Sequence, residues 1–565
     1  MRDFQTIANQ TYDLIIIGGG VNGAGVARDA ALRGVKTILI EKGDFASGTS
    51  SWSTRLVHGG LRYLEYFEFS LVRESLRERE ILLRTAPHLV TPIMMTIPIY
   101  RDRSRPYWKI QAGMFLYDIL SFDKSMLAHR MLPKPQFRQH FRQIDPEGLA
   151  GGAQYYDAQA SNAERLCWET IASAKEAGAT VLNYVEMTAL HCENDRITRV
   201  ACRDALTDQT FEIRASDRAM VMNTTGPWVD QALQRGVRDG QDQPLSKKRH
   251  MGGTKGSHIV VPPFAGAPDT ALYVEAKTDG RPFFIVPWLG MYLIGTTDLK
   301  FTSGNLDHVK ADNDEVDYLL RETNLVIPNA NLGRESVLFT YSGVRPLPYE
   351  AGKSAGSITR RHILYDHRKD GVNNLISLVG GKLTTWRHVG EEIVDQLFKR
   401  WGVEAPPCPT LTKPLPGAIS FSDPLIQATM QRYQGKMPAS SVYHLFSTYG
   451  RQALLVLELI DEHPELAHPI APNEIILNAQ LVFAARSEMA HTLVDMARRR
   501  TSLAVRGHYG LHLLPEMTDL MRRYCDWDNA KCERESHAYR QFMETSCIPD
   551  YLLEQGNQIQ TLQAA

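Results

Sequence analysis

No apolar run in this sequence approaches the roughly 18 to 20 residues that a membrane-spanning helix requires. Any bilayer contact is therefore expected to be peripheral. A surplus of one charge is missing too: 63 Lys and Arg stand against 64 Asp and Glu, a formal net charge of −1. That balance gives no reason to expect nucleic acid as a partner. Cysteine is sparse, with seven residues at positions 167, 192, 202, 408, 525, 532 and 547, and no C-x-x-C pair among them. An odd, scattered set argues for reduced thiols in a cytosolic compartment, and no metal site is expected. The opening MRDFQTIANQTYD lacks the apolar core of a secretion signal. Internal repeats are absent, yet 565 residues exceed one ordinary core, so two or three domains are expected.

What is present organises itself around Leu14 to Glu41, LIIIGGGVNGAGVARDAALRGVKTILIE. Leu14 to Ile17 reads as a short buried strand, Val21 to Arg33 as a helix capped by Gly34, and Val35 to Ile40 as a second strand. Gly18, Gly20 and Gly23 supply G-x-G-x-x-G at the strand-to-helix turn: the first permits the turn, the second admits a pyrophosphate, the third lets helix and strand approach. The helix N-terminus then faces the phosphates. Glu41, about twenty residues on, is placed to accept hydrogen bonds from a ribose diol. The segment predicts a dinucleotide site and leaves open which dinucleotide. No second fingerprint is visible, and Gly151-Gly152 does not follow a recognisable strand.

Further along, Phe69 to Thr85 predicts an amphipathic helix with a solvated charged face. Tyr100 to Ser121 sets Arg101, Arg103, Arg105 and Lys109 beside Tyr107, Trp108, Phe115 and Ile119, a pattern suited to a helix lying on an anionic membrane surface. Asp157 to Gly178 reads as helix and Ala179 to Tyr184 as strand, followed by a hairpin of Arg196 to Cys202 with Thr210 to Arg214 and an apolar strand at Ala219 to Met222. The runs HIVV, ALYVEA, PFFIVPW and MYLIG predict a separate antiparallel sheet as a substrate platform. Leu375 to Val379 is a buried strand leading into GGKLTT, with a helix from near Leu383 to Trp401. Ala405 to Ala418 is Pro-rich and linker-like. The expected organisation is an α/β region over 1–404 with its substrate sheet mainly within 80–150 and 235–370, a linker at 405–417, and an all-α domain over 418–565.

In combination, IIIGGGVNGAGVARDAALRG, TSSWSTRLVHGGLRYLEYFEFSLVRESLRERE, NTTGPW, KGSHIVVP, IGTTD, YSGVRPL and GGKLTT closely resemble the FAD-dependent glycerol-3-phosphate dehydrogenases of respiratory metabolism. The likeness runs from about residue 12 to about 400, and AARSEMAHTLVDMARRRT resembles that family's C-terminal domain. It implies a Rossmann-like FAD-binding domain, with hydride passing from sn-glycerol 3-phosphate to flavin and electrons to a quinone. It also implies a cytoplasmic location on the inner face of the membrane; a homodimer is left open. The cofactor candidates are Gly18, Gly20, Gly23, Glu41, Ser50, Ser51, Gly226, Gly381, Leu383 and Thr384, with GGKLTT expected to aim a helix N-terminus at the anionic edge of the flavin.

A phosphate dianion calls for guanidinium or ammonium groups, and Arg62, Arg345 and Lys382 are the candidates. Loss of the hydroxyl proton calls for a base, for which His58 and His258 stand equal, and Tyr63 is placed to bond substrate. Trp52, Arg55 and Thr224 depart from the residues usual in that family. The alternatives are an oxidase that passes the same electrons to oxygen with release of hydrogen peroxide, and a flavin amine oxidase of glycine-like substrates.

Overall fold

A computed structural model describes residues 2–101, 105–302, 304–352, 358–472 and 474–554; Arg103 lies outside them. Thr11–Ile17 forms the central strand of a ten-stranded sheet. It pairs in parallel with Thr37–Ile40 on one side and Thr210–Asn223 on the other. Thr180–Leu182 and Leu375–Val379 extend the parallel core outward. The hairpin expected at Arg196 to Arg214 is present, as Arg196–Asp204 antiparallel to Thr210–Asn223. The Val21–Leu32 helix ends with Gly34 at φ +79°, the left-handed turn that glycine tolerates.

A second ten-stranded sheet carries the runs read as a platform: Thr254–Val261, Ala271–Glu275, Pro282–Trp288 and Met291–Gly295. Two long strands, Val90–Tyr100 and Leu149–Ala160, complete it with Phe339–Arg345 against Thr254–Val261. Asp157 to Ala160 therefore belongs to a strand, and the helix begins only at Ala163. The Gly151-Gly152 pair lies inside that same strand, where a Cβ on Gly152 would stand 2.2 Å from the Phe137 ring. Glycine here makes room for an aromatic neighbour, and its low strand propensity hid the strand from sequence.

The Phe69–Thr85 helix forms as expected, but its charged face is not merely solvated. Glu78, Arg79 and Glu80 are buried. Arg79 donates to Asp157 at 2.6 Å and Arg387 donates twice to Glu78 at 2.6 Å. Partners from elements far along the chain make that burial tolerable, and no local periodicity signals them. The Pro-rich stretch is strapped down: Arg28 donates to the Lys413 and Pro414 carbonyls, and Leu415 N–H to the Thr85 carbonyl at 2.8 Å.

Past residue 418 the described chain is helical. Its core is continuous with that of the second sheet, where the Phe339 and Tyr509 rings lie 5.6 Å apart. A π-helical turn, Asp495–Arg500, drives three arginines into the nucleotide-binding region. Arg498 donates to Glu164 at 2.7 Å, Arg499 to Asp44 at 2.7 Å, and Arg500 to both Asp44 oxygens at 2.7 and 2.8 Å. Burial opposes ionisation of Asp44, and the Arg500 and Arg499 guanidiniums overcome it, holding its carboxyl at about 2.

An acid held below its usual value adds stability above about pH 4, and that stability is lost as pH falls toward 2. Asp44→Asn leaves buried Arg500 without a carboxylate, while Arg499 keeps Asp495, and should cost about 3–5 kcal/mol. Thermal unfolding against pH checks this: the variant should melt lower at neutral pH and lose the part of the acid dependence that Asp44 supplies.

Candidate active site

The C-terminal ends of Thr11–Ile17, Thr37–Ile40, Thr210–Asn223 and Leu375–Val379 converge on one cleft of about 580 Å³. Parallel sheets bind dinucleotides at that edge. Gly18, Gly20, Glu41, Ser50, Gly226, Gly381, Lys382 and Leu383 all line it. Gly23, Ser51 and Thr384 do not, and they shape it from behind. A Cβ on Gly23 would fall 2.0 Å from the Gly18 carbonyl oxygen. Ser51 is buried and donates to the Ala46 carbonyl. Thr384 accepts from the His58 N–H at 3.2 Å and so ties GGKLTT to the loop that carries the substrate candidates. The helix after GGKLTT starts at Trp386, with Leu383 to Thr385 forming a turn. The expected start near Leu383 is thus one turn early, since Gly380 and Gly381 hold φ of +86° and +102° and the chain leaves them without helical geometry.

The cleft is already wired for an anionic, hydroxyl-rich ligand. Glu41 accepts from Gly19 N–H at 2.7 Å and Gly43 N–H at 2.9 Å, which fixes its carboxylate at the rim. Ser50 Oγ accepts from Val21 N–H at the first turn of the nucleotide helix. Asn22 Oδ1 and Trp228 Nε1 are buried with no partner among the described residues, and both residues line the cleft. Orphaned polar atoms beside close-approaching glycines are what a bound dinucleotide would satisfy, so the donor set fits FAD. Trp52 also lines the cleft with Arg498 4.8 Å over its ring, while Arg55 turns away to form a paired bridge to Glu164 at 2.6 and 2.7 Å. Arg499, Phe542 and Ser546 complete the wall from the helical domain. Nothing in their local sequence points there, because their neighbours come from the other end of the chain.

Beside Gly381 the substrate candidates gather. Lys382 Nζ sits 4.7 Å over the Tyr63 ring and donates to Ser75 Oγ. Burial lowers Lys382 to about 8, against the pull of Glu74, Asp157 and Glu68. Burial also pushes the Tyr63 hydroxyl up, opposed by the nearby cations of Arg360, Arg62 and Arg345. Arg345 is held by Thr296 at 2.9 Å and Asp298 at 3.0 Å, so the IGTTD run acts as its mount. Arg62 donates to Tyr66 at 3.3 Å.

Arg360 is a fourth cation that sequence reading did not single out: it stands 3.5 Å from Asp298, with its Nη1 buried and unpaired among the described residues. The Arg360-Arg361-His362 run looks like any solvated charge cluster, and only the fold aims Arg360 inward.

The two histidines differ. His258 is buried on the Thr254–Val261 strand, with Nε2 2.9 Å from Thr54 Oγ1 and its ring stacked 4.7 Å from Tyr341. Burial first, then Arg345 and Arg55, lower it well below the usual value. His58 meets Phe284 edge-on at 6.1 Å, and its ring makes no hydrogen bond among the described residues. Burial, then Lys382 and Arg79, push it down to about 3. Both are neutral at pH 7 and can accept a proton.

Comparison with known proteins agrees with this geometry. The family model "FAD dependent oxidoreductase" matches residues 13–395, and "C-terminal domain of alpha-glycerophosphate oxidase" matches 408–532. A glycerol-3-phosphate dehydrogenase of Synechocystis is 57% identical over 98% of this chain and 100% of its own. The aerobic glycerol-3-phosphate dehydrogenase of Staphylococcus saprophyticus is 32% identical over 88% of this chain and 87% of its own. Among solved structures, the Bacillus halodurans glycerol-3-phosphate dehydrogenase complexed with FAD superposes with a TM-score of 0.76 at 27% identity, covering 96% of each chain. With a dinucleotide fingerprint in the cleft, a family model over most of the chain and relatives that span both halves, the chain belongs to the FAD-dependent glycerol-3-phosphate dehydrogenase family.

Proposed function

We propose that this enzyme oxidises sn-glycerol 3-phosphate to dihydroxyacetone phosphate and passes the electrons to a quinone at a membrane surface. The observation that carries the substrate is the convergence of Arg62, Arg345, Arg360 and Lys382 on Tyr63, with Asp298 as the shared counter-charge of two of them. A phosphate dianion balances such a cluster, whereas a carboxylate needs one guanidinium, so a glycine-type amine oxidase is disfavoured. FAD, when bound, supplies the hydride acceptor. Arg345 and Arg360 hold the phosphate, Lys382 and Tyr63 orient the glycerol chain, and a ring nitrogen of His58 takes the hydroxyl proton. His258 is the weaker base candidate because Thr54 occupies Nε2, Tyr341 covers its face and its unpaired Nδ1 is buried.

Membrane contact is supported by surface chemistry of a kind the charge pattern understated. Among the described residues, no helix is long and apolar enough to cross a membrane. Yet eight of the fifteen exposed large apolar side chains among the described residues fall between Tyr66 and Leu127. Trp108, Phe115 and Ile119 lie at helical spacing on the Tyr107–Leu120 helix, and Phe122 follows at 79% exposure. Arg105 is not free for lipid: it is paired with Glu65 and Glu275, and Lys109 with Glu65 at 3.3 Å. Apolar insertion, more than basic attraction, would drive docking.

Arg345→Lys and Arg360→Ala should each raise the Michaelis constant at least about tenfold, as expected if about 1.4 kcal/mol of phosphate binding is lost. In wild type, kcat/KM should fall above about pH 8 as Lys382 loses its proton, and Lys382→Arg should remove that limb. Anaerobic bleaching of the flavin absorbance by glycerol 3-phosphate tests the substrate, and its absence in flavin-replete enzyme would overturn the assignment. Quinone-analogue reduction compared with oxygen uptake separates dehydrogenase from oxidase.

Each buried aromatic is worth about 1.5–3 kcal/mol. Replacing Trp108, Phe115 and Phe122 together by serine should therefore weaken vesicle binding on the order of a thousandfold, while turnover with a soluble acceptor stays intact.

A further inference from the structure

We propose that His250, His367 and Asp370 form a binding site for a divalent first-row transition cation of the zinc or nickel kind, separate from the cofactor cleft. One ligand atom from each of the three lies within 4.8 Å of the other two. None of the three lines the cleft.

The site is assembled from two distant segments. His367 opens the short turn His367–Asp370 after the Ile363–Asp366 strand. Its Nδ1 lies 2.8 Å from Asp370 Oδ2 and its Nε2 lies 2.8 Å from Ser377 Oγ. His250 comes from the segment that leads into the Thr254–Val261 strand, and its Nε2 lies 3.2 Å from Ser246 Oγ. The two imidazoles meet edge-to-face at 5.6 Å, with Tyr365 closing the triangle at 4.3 Å from His250 and 4.9 Å from His367.

Ligand atoms about 2.0–2.2 Å from a tetrahedral zinc ion stand about 3.3–3.5 Å apart. The His367–Asp370 pair needs to open only slightly to admit an ion in place of its shared proton, and His250 must close by about 1 Å or slightly more, within reach of a side-chain rotation. The Ser377 bond on the far nitrogen of His367 is the outer contact that fixes a ligating ring. Two imidazoles and one carboxylate select zinc, nickel or cobalt over calcium or magnesium, which prefer all-oxygen shells. Asp370, with 19% of its side chain exposed, gives the ion a way in and leaves a position for water. Lys248 and Lys369 lie 5.1 and 5.9 Å from the Tyr365 ring centre and oppose a cation, so affinity must come from inner-sphere bonds.

A bound ion would staple segments that carry the phosphate cluster. The His250 carbonyl accepts from Tyr349 N–H at 2.8 Å, close behind Arg345, and the Ile363–Asp366 strand starts three residues after Arg360. An effect on the Michaelis constant rests on the function proposed above, whereas binding itself does not.

The test uses the FAD-loaded enzyme after chelator treatment, titrated calorimetrically with Zn²⁺ and spectroscopically with Co²⁺. Wild type should take up one ion per chain with the visible bands of a nitrogen-ligated cobalt. His250→Gln and Asp370→Asn, verified as folded by flavin content and thermal midpoint, should bind about a hundredfold more weakly or worse, since even outer-shell contacts are worth about 10- to 100-fold. Absence of uptake at micromolar metal in wild type, or uptake unchanged in both variants, overturns the proposal.

Discussion

The contact on which the architecture depends is a near-touch of backbone on backbone, Gly23 against the carbonyl of Gly18. A side chain at Gly23 would sit 2.0 Å from that oxygen and 2.8 Å from Thr224 Oγ1. Because there is none, the Val21–Leu32 helix packs directly on its strand, and Thr224 reaches across to donate to the carbonyls of Ile17 and Gly18 at 3.0 Å. The ends of Thr11–Ile17 and Thr210–Asn223 are thereby drawn together. The same small-residue economy continues on the far side of the helix, where a Cβ on Gly25 would stand 2.7 Å from Trp386 and a Cβ on Gly390 2.7 Å from the Gly25 carbonyl. The helix that follows GGKLTT is docked through this second close approach. One helix with glycine on two faces thus docks both the first strand and the helix that follows GGKLTT.

Charge is then distributed by what that packing encloses. Where cations and acids are enclosed together, as with Asp44 and Asp495 against Arg499 and Arg500, or Glu164 between Arg55 and Arg498, the pairs lock elements together. Around Tyr63, Arg345 and Arg360 share one acid, Asp298. Two buried guanidiniums on one carboxylate suit a site that an anion completes. Lys382 is brought down to about 8 by burial, against the pull of Glu74, Asp157 and Glu68.

The nucleotide half was legible in sequence because its signals are local. Strand, glycines, helix and terminal acid follow one another within Leu14 to Glu41, and each lies where the spacing put it. The platform strands were legible for the same reason. Signals that depend on distant partners were not: Asp157 to Ala160 read as helix because glycines flank it, and the charges of Phe69–Thr85 read as solvated because Arg387 is about three hundred residues away. Arg360 was hidden by its basic neighbours. His250 and His367 are 117 positions apart, so no metal-ligand spacing announces them.

The helical domain shows most clearly what sequence order conceals. Read alone, ARRRT is a basic helix end. In the fold its three arginines meet acids that follow the nucleotide strand and the Ser50–Ser51 loop, and Arg498 donates to the carbonyl of Ser51 itself at 3.2 Å. The loop bearing Ser50 and Trp52 is thus gripped between its own domain and the helical one, and Phe542 lies 6.5 Å from Trp52 on the same wall. The helical domain therefore shapes the cofactor cleft through charge, because the acids it neutralises lie immediately behind the residues that line it.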